Sequence, residues 1–287
     1  MVSVIDGPYA RGMNRTAASL SPPAASHVGV LLREWRASRR LSQLDLALEA
    51  DISTRHLSCV ETGKAQPSRE LLARLAHVLD MPLREHNALL VAAGFAPVYP
   101  ESDIRTPAMS QVRGAIEAIL RQQEPYPAFL LNRHWDILMA NDAALRVNRF
   151  VMRGKESAHA NMLRQFFDPL DFRQVVANWD EVAGNLIHHL HNEVAASPSD
   201  ARARALLDEV LAYPDVPARM RVRDLGAAPS PLLTTVLRRD EHELRFFSTI
   251  TTFGTPRDVT LDDIHVECCF PVDDATAALC RSLAADA

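Results

Sequence analysis

Two patterns of hydrophobic and polar positions divide this chain of 287 residues. From residue 28 to residue 94, apolar residues recur at intervals of three and four, which is typical of short amphipathic helices. Beyond residue 127, runs of β-branched and aromatic residues occur between longer helical stretches. Pro97, Pro100 and Pro107 interrupt the polar stretch between the two regions and predict a linker there.

The front region predicts five consecutive helices, each with one apolar face turned towards a common core. The fifth helix runs from Leu83 to Ala93 and ends at Gly94, a residue suited to the C-terminus of a helix. The apolar faces of the first four helices are Leu31, Leu32 and Trp35; Leu44, Ala47 and Leu48; Leu57 and Val60; and Leu71, Leu72, Leu75, Ala76 and Leu79.

The rear region predicts an antiparallel α+β domain, because strands joined as hairpins occur before and after a group of helices. Trp135, Ile137 and Met139 alternate along one predicted strand and are therefore expected to share one face. Strands are predicted over residues 129–140, as two strands around a turn near Asn132, and over residues 231–239, 243–252 and 264–270. Helices are predicted over residues 111–123, 141–149, 170–194, 201–211 and 275–284.

These patterns assign four segments to the chain. Residues 1–24 are interpreted as a flexible N-terminal arm, because they combine prolines and small residues without periodicity. The front helical domain covers residues 25–95, the linker residues 96–110, and the rear domain residues 111–287. The predicted fold class is thus an all-α domain followed by an α+β domain with an antiparallel sheet.

Composition and charge limit the classes of function. Hydrophobic residues make up 47% of the chain and charged residues 23%, as in ordinary globular proteins. No apolar stretch is long enough to span a bilayer and no secretory pattern is visible, so we expect a cytoplasmic protein without membrane contact. The chain has a net charge of −5, and its excess of acidic residues lies in the rear region. Residues 25–95 hold nine basic and eight acidic residues and would not repel a polyanion.

The strongest functional signal lies in two short helices in the middle of the front region. Ser42 and Asp45 form a capping pattern at the start of the first helix, while Ser53 caps the second, which spans about residues 54–62 and ends at Gly63. So tight a turn makes the two helices cross steeply and presents the N-terminal end of the second to the major groove of DNA. The polar residues expected to be exposed there are Thr54, Arg55, His56, Ser58 and Cys59.

A set of motif residues extends this signal. Its members are Arg36, Ser42-Gln43, Leu46-Ala47, Ile52-Ser53, Glu61-x-Gly63-Lys64 and Pro67-Ser68. Over about residues 28–83 they resemble the helix-turn-helix of the xenobiotic-response-element and Cro/C1-repressor family. The resemblance implies a five-helix domain that binds double-stranded DNA as a homodimer, at a pseudo-palindromic operator. Asp51 departs from the family pattern, which has glycine in the turn, but aspartate tolerates a left-handed backbone.

The same resemblance implies roles for individual residues. Arg36 and Glu61 match a buried ion pair that ties the first helix to the DNA-reading helix. Thr54 and Cys59 match base-reading positions, and Arg55 is the best candidate for a bidentate contact with guanine. The full set of expected DNA contacts is Gln43, near the sugar-phosphate backbone, with Ser53, Thr54, Arg55, His56, Ser58, Cys59 and Lys64.

The rear region carries a second, looser resemblance. Its motif residues are Asn132-Arg133-x-Trp135-Asp136-Ile137, Asn141-x-Ala143, Phe167-Asp-Pro169, Trp179 and the block 246–260. Over about residues 107–283 they are similar to the MmyB-like ligand-binding domain, which follows a helix-turn-helix in a group of bacterial regulators. The resemblance implies a PAS-like fold with an apolar pocket for a fatty acid or similar lipid. Residues 214–229 depart from the family pattern.

The apolar faces of the rear strands are candidates for the wall of that pocket. For each such residue, a filled hydrophobic core is the alternative interpretation. The candidates are Phe129, Trp135, Ile137, Met139, Trp179, Phe246 and Phe253. No cofactor is expected to be required, although a fatty acid or similar lipid is the expected bound ligand.

Other chemistry in the sequence is weaker. His188 and His191 share a helix face near Glu181 and Glu193, which is compatible with a metal site, although ordinary surface imidazoles are the favoured interpretation. The four cysteines show no CxxC spacing, and the carboxylates of the 262–263 pair are expected to be solvated. No catalytic motif is visible, so an enzyme is not expected.

The sequence therefore predicts a DNA-binding transcription regulator whose operator affinity responds to a small apolar ligand. Two alternatives remain open at this point. One is a constitutive DNA-binding repressor with a structural rear domain, and the other is a DNA-tethered, metal-dependent enzyme.

Overall fold

The computed structural model describes residues 2–4, 27–221 and 232–286. In the front region it contains the five predicted helices. Their bounds are α1 His27–Ser38, α2 Gln43–Glu49, α3 Thr54–Glu61, α4 Arg69–Val78 and α5 Leu83–Ala92. Serine side chains cap α2, α3 and α4, and the predicted capping box of Ser42 and Asp45 is confirmed.

Helix α2 turns a different face to the core than its sequence predicts. Leu44 and Leu48 are 63% and 77% exposed, whereas Leu46, Ala47 and Ala50 are buried. The spacing of the two exposed leucines identifies one face of the helix but not the direction in which that face points. Contacts of α2 with α3 and α4 decide this direction, so the expectation that Leu44 and Leu48 face the core is wrong.

Left-handed residues close the turns that end α2, α3 and α5. Asp51, between α2 and α3, has a φ of 52°, which confirms that aspartate supplies the left-handed turn there. Gly63 after α3 and Gly94 after α5 have φ values of 74° and 84°. Glycine adopts such angles without a steric penalty, so these positions fix the ends of the two helices.

The rear region is an α+β domain built on an antiparallel sheet with the strand order β1-β3-β2-β6-β5-β4. The strand bounds are β1 Val2–Val4, β2 Ala128–Asn132, β3 Ile137–Asn141, β4 Thr234–Arg239, β5 His242–Thr251 and β6 Ile264–Pro271. The helix bounds are α6 Ser110–Gln122, α7 Asp142–Val151, α8 Met162–Phe167, α9 Trp179–Ala196, α10 Ala201–Ala212, α11 Val259–Asp263 and α12 Asp274–Ala285. Short 3-10 helices occupy Pro107–Met109, Phe172–Val175 and Ala218–Arg221.

The predicted helix over residues 170–194 is wrong in its first part. A 3-10 helix ends at Val175, and α9 begins only at Trp179. Between them, Asn178 donates a hydrogen bond from Nδ2 to the carbonyl oxygen of Thr234 and accepts one at Oδ1 from the backbone N–H of Val236. The backbone N–H of Ala177 also donates to the carbonyl oxygen of Val236, so the backbone here pairs with β4 instead of continuing the helix.

Part of the predicted N-terminal arm belongs to the sheet. Residues 2–4 form β1, which pairs antiparallel with β3, so the expectation of a flexible arm is wrong for these three residues. Residues 5–26 lie outside the described residues, as do residues 222–231, which include the first residue of a predicted strand.

Helices cover both faces of the sheet. On one face, Ile116 and Leu120 of α6 pack with Leu130, Val266 and other strand residues. On the opposite face, α8, α9 and α10 pack around Leu131. The sheet therefore separates two apolar layers, and we call the one beneath α8, α9 and α10 the inner layer.

A bulge at Leu138 in β3 separates residues that were expected to share a face. The register shifts between Leu130, which pairs with Met139, and Leu131, which pairs with Ile137. Consecutive strand residues point to opposite sides, so Ile137 packs in the inner layer and Met139 packs beside α6. Trp135, just before β3, has a φ of 66° and joins the inner layer. The predicted shared face is therefore wrong for Met139.

Close packing of α1 on α3 yields a prediction for Gly29. A Cβ atom at this position would lie 2.2 Å from the carbonyl oxygen of Glu61, which is backbone and cannot rotate away. We expect Gly29→Ala to lower the free energy of unfolding of the front domain by about 1–3 kcal/mol, measured by urea denaturation of the full chain.

Gly114→Ala is the matched control, because Gly114 lies in α6 with open space around its Cα. There, alanine should be neutral or stabilising by about 0.5–1 kcal/mol. Equal stability of the two variants would contradict the close approach of α1 and α3.

Candidate nucleic-acid interface and ligand site

The N-terminal end of α3 presents most of the residues expected to read DNA. Ser53, Arg55 and His56 are exposed, whereas Thr54, Ser58 and Cys59 are half-buried. The Ser53 hydroxyl accepts a hydrogen bond from the backbone N–H of His56 and so caps the helix. Lys64, just after the helix, is also exposed. The opposite side of α3 enters the core through Leu57 and Val60, as predicted.

A buried ion pair fixes α3 against α1. Arg36 donates hydrogen bonds from Nε and Nη2 to the two carboxylate oxygens of Glu61, at 2.7 and 3.0 Å. The Glu61 side chain is fully buried, and Gln43 Nε2 donates to the same carboxylate at 2.8 Å. The hydrogen bond to Glu61 raises the pKa of Arg36. Glu61 therefore orients the candidate DNA-reading helix α3 and also holds Gln43 at the start of α2.

The inner layer of the rear domain contains a polar group around α9. Trp135 Nε1 donates to Glu193 Oε2 at 3.0 Å, and His189 Nε2 lies 3.1 Å from Glu193 Oε1. The hydrogen bond to Glu193 raises the pKa of His189. The Trp135 ring makes edge contacts with the rings of His189 and His265, at centroid distances of 5.5 and 6.1 Å.

The seven candidate pocket residues divide among three apolar clusters. Phe129, Trp135, Ile137 and Trp179 lie in or against the inner layer. Phe246 belongs to the adjoining cluster around α7 and α12. Met139 and Phe253 pack beside α6, on the other side of the sheet.

Two inward residues of β6, His265 and Glu267, are not singled out by the sequence patterns. His265 Nε2 and Glu267 Oε2 are buried and have no hydrogen-bond partner. Burial lowers the pKa of His265 and raises the pKa of Glu267. The sequence did offer one signal that could have identified them, because each stands between apolar residues in a predicted strand.

The front domain is docked on the rear domain through the start of α5. The backbone N–H of Leu83 donates to Asp262 Oδ2 at 2.8 Å, and Arg84 donates to Asp263 Oδ2 from both Nε and Nη2. The Asp263 side chain is only 12% exposed. Its burial raises its pKa, although the charge of Arg84 acts in the opposite direction. The expectation that Asp262 and Asp263 are solvated is therefore wrong, because α5 covers them.

Arg133 lies at the centre of the same contact. Its guanidinium is 2.7 Å from Asp200 and 3.5 Å from both Glu85 of α5 and Asp263. Although burial by itself raises the pKa of Asp200, the hydrogen bond with His134 and the charge of Arg133 hold this pKa far below its usual value. This docking cluster, comprising Arg84, Glu85, Arg133, Asp200 and Asp263, joins three segments of the rear domain to one helix of the front domain.

A cavity of about 490 Å³ opens beside the docking cluster, between the two domains. Arg39, Asp80 and Leu83 line it from the front domain. From the rear domain, Arg133, Glu193 and Asp200 contribute to its wall.

The histidines of α9 do not converge on a metal. His189 is paired with Glu193, and His191 Nε2 lies 2.9 Å from the carbonyl oxygen of Met220. Within residues 2–4, 27–221 and 232–286, no group of three or more His, Cys, Asp or Glu side chains is arranged to hold a metal ion. Cys59, Cys268, Cys269 and Cys280 are free thiols.

The two domains define the class of this protein as a DNA-binding regulator with a separate ligand-binding domain. A family model described as the MmyB-like transcription regulator ligand binding domain matches residues 112–283, and a helix-turn-helix model matches residues 32–86. The chain belongs to the MmyB-like transcription regulators.

Two solved structures are similar to parts of the chain. The clp gene regulator ClgR from Corynebacterium glutamicum is 26% identical, with 37% of this chain and 95% of that one covered and a TM-score of 0.23. An RNA-binding light-oxygen-voltage receptor is 14% identical, with 91% of this chain and 63% of that one covered and a TM-score of 0.23. No curated protein matches the chain. Among the described helices, none is long and apolar enough to cross a membrane.

The geometry around Glu61 generates a stability prediction. Glu61→Ala removes the acceptor of Arg36 and Gln43 inside the front domain and leaves a largely buried guanidinium without a counter-charge. We expect the free energy of unfolding of this domain to fall by about 3 kcal/mol in urea denaturation. Glu49→Ala, at an exposed position of α2, is the control and should change stability little. Unaltered stability of the Glu61 variant would refute this role.

The docking cluster generates a second prediction. Arg84→Met removes the two hydrogen bonds to Asp263, so the front domain should unfold before the rear domain in calorimetry. We expect its midpoint to fall by about 2–4 °C. Arg153→Met is the control, because its ion pair with Asp240 is exposed on both sides and contributes little. A calorimetric profile unchanged by Arg84→Met would show that these bonds do not hold the domains together.

Proposed function

We propose that this regulator binds an inverted-repeat operator as a homodimer, and that an apolar ligand in the rear domain changes its operator affinity. The observation that carries the proposal is the rigid placement of α3 by the Arg36–Glu61 pair, with Arg55 exposed at its N-terminal end. A helix held in this way can enter the major groove as a preformed unit.

The proposed DNA contacts divide into two kinds. Arg55 is exposed and is proposed to read a guanine, while Thr54 and Cys59 are proposed to contact neighbouring bases. Lys64, Ser53 and the remaining candidates contact phosphates and set the register on the duplex. Because the front domain has almost no net charge, two copies are needed to supply enough phosphate contacts.

The proposed coupling runs from the inner layer to the docking cluster through Glu193. This carboxylate holds Trp135 and His189 inside the rear domain and also lines the cavity between the domains. A ligand that displaces α9 would therefore move one wall of the interdomain cavity and change how α5 docks on the rear domain. The effect on operator affinity equals the difference in ligand binding between the two arrangements, typically about 1–3 kcal/mol.

Selection of duplexes from a random DNA pool tests the DNA-binding part, at a fixed ionic strength of about 0.1 M. The wild-type protein should recover an inverted repeat with half-sites about one helical turn apart. Arg55→Ala should weaken binding by about 1–3 kcal/mol and relax the preference at one base of each half-site. The control is Arg149→Ala, at an exposed position of α7 in the rear domain.

Three results would count against the DNA-binding part of the proposal. An unchanged motif for Arg55→Ala would remove this residue as a base reader. A motif without two-fold symmetry would argue against the homodimer. Failure of the folded wild-type protein to recover any motif would argue against sequence-specific binding.

Mass spectrometry of a solvent extract tests the ligand part. A lipid that copurifies with the protein and changes its operator affinity when added back supports ligand control. Operator affinity that no apolar ligand changes would favour a constitutive repressor with a structural rear domain.

A further inference from the structure

We infer that contacts on helix α11 set the spacing between operator half-sites that this regulator accepts. The inference rests on the proposed binding of an inverted repeat by a homodimer, and it assigns the choice of spacing to the rear domain. Its basis is that both connections between the domains, helix α5 and the linker, are fixed to α11. We call these contacts the α11 clasp; its side chains are Arg84, Asn87, Asp258, Asp262 and Asp263.

Helix α11 is firmly part of the rear domain. It covers only Val259–Asp263 and leads directly into β6, which pairs with β2 on one side and with β5 on the other. Val259 is buried, and Asp258 Oδ1 caps the helix by accepting a hydrogen bond from the backbone N–H of Thr260. Because α11 adjoins an interior strand of the sheet, it moves together with the rear domain.

The first connection to α11 is α5 itself. The backbone N–H of Leu83 and the side chain of Arg84 donate to Asp262 and Asp263. Arg84 Nη2 also donates to Glu101 Oε1 in the linker, at 2.7 Å. One arginine of α5 therefore binds both α11 and the linker.

The start of the linker is fastened to α5. Asn87 Nδ2 donates to the carbonyl oxygen of Tyr99 at 2.7 Å. Asn87 Oδ1 accepts hydrogen bonds from the backbone N–H groups of Val98 and Tyr99. This single amide therefore holds the chain that leaves the front domain against the helix that docks it.

The next residues of the linker are fastened to α11. The carbonyl oxygen of Pro100 accepts a hydrogen bond from the backbone N–H of Val259 at 2.8 Å. The backbone N–H of Ser102 donates to Asp258 Oδ1 at 3.3 Å. Between its attachment to α5 and its attachment to α11, the linker therefore has no free length.

The clasp makes each front domain and its rear domain one unit on DNA. Small polar contacts between domains normally leave the domains free to move. Here α5 and the linker are fixed to α11 at separate points, so a rotation about one attachment would break the other. In the homodimer, the distance between the two α3 helices then follows from how the two rear domains are held together.

DNA geometry turns this rigidity into a choice of spacing. Two base pairs added between the half-sites move them about 7 Å apart and rotate them by about 70° around the helix axis. Freely tethered front domains could follow such a change, whereas clasped ones would lose contact at one half-site.

Duplexes that differ only in spacing test the inference. They carry the selected inverted repeat with its original spacing or with one or two base pairs added or removed at its centre, and a further duplex carries a single half-site. Binding of the full chain is measured by fluorescence anisotropy at an ionic strength of about 0.1 M. We expect the affinity of the wild-type protein to fall at least about tenfold when two base pairs are added.

The double variant Arg84→Met/Asn87→Ala releases α5 from Asp263 and from the linker. We expect it to lose less than about threefold in affinity when two base pairs are added. Its affinity for the single half-site should stay within about twofold of the wild-type value, because α3 is unchanged. The matched control is Arg153→Met/Asn185→Ala, which removes exposed contacts of the rear domain and should keep the wild-type dependence on spacing.

The outcomes separate this inference from the homodimer on which it rests. Equal affinity of the wild-type protein for all spacings would overturn the inference, whether or not the variant folds, and would leave binding to the inverted repeat intact. A double variant that binds the single half-site but keeps the wild-type dependence on spacing would also overturn it, because contacts between the front domains would then set the spacing. A wild-type protein that binds no inverted repeat more tightly than a single half-site would instead remove the homodimer, and the inference with it.

Discussion

The arrangement of the two domains depends on two adjacent carboxylates at the junction of α11 and β6. Asp262 accepts a hydrogen bond from the first N–H of α5, and Asp263 accepts two from Arg84. Because α5 belongs to the core of the front domain, its position determines where the DNA-reading helix α3 lies relative to the sheet. Asp263 ends α11 and directly precedes β6, the strand that carries His265 and Glu267, so the interdomain contact adjoins the inner layer.

The buried glutamates of the two domains differ in how they are paired. In the front domain, Glu61 is fully satisfied by Arg36 and Gln43, and it fixes one arrangement of helices. In the rear domain, Glu267 has a buried oxygen without a partner. A satisfied buried carboxylate specifies geometry, whereas burial of the incompletely paired Glu267 raises its pKa.

Local signals in the sequence predicted local structure well. Ser42 and Ser53 each cap the helix that they precede, and Asp51 adopts the left-handed turn expected of it. These features depend on hydrogen bonds and backbone angles within a few residues, so neighbouring residues suffice to predict them. The family motifs likewise located both domains, because their spacing reflects the positions at which the helices and strands meet.

The sequence by itself therefore determined the five front helices, the caps at Ser42 and Ser53, and the class of regulator. Only the tertiary structure decided that Leu44 and Leu48 face outward, that a bulge in β3 separates Met139 from Ile137, and that Asp262 and Asp263 are covered by α5. The physical reason is range: helical spacing and strand alternation define faces, but contacts between residues up to 179 positions apart select which face is buried and which charges meet.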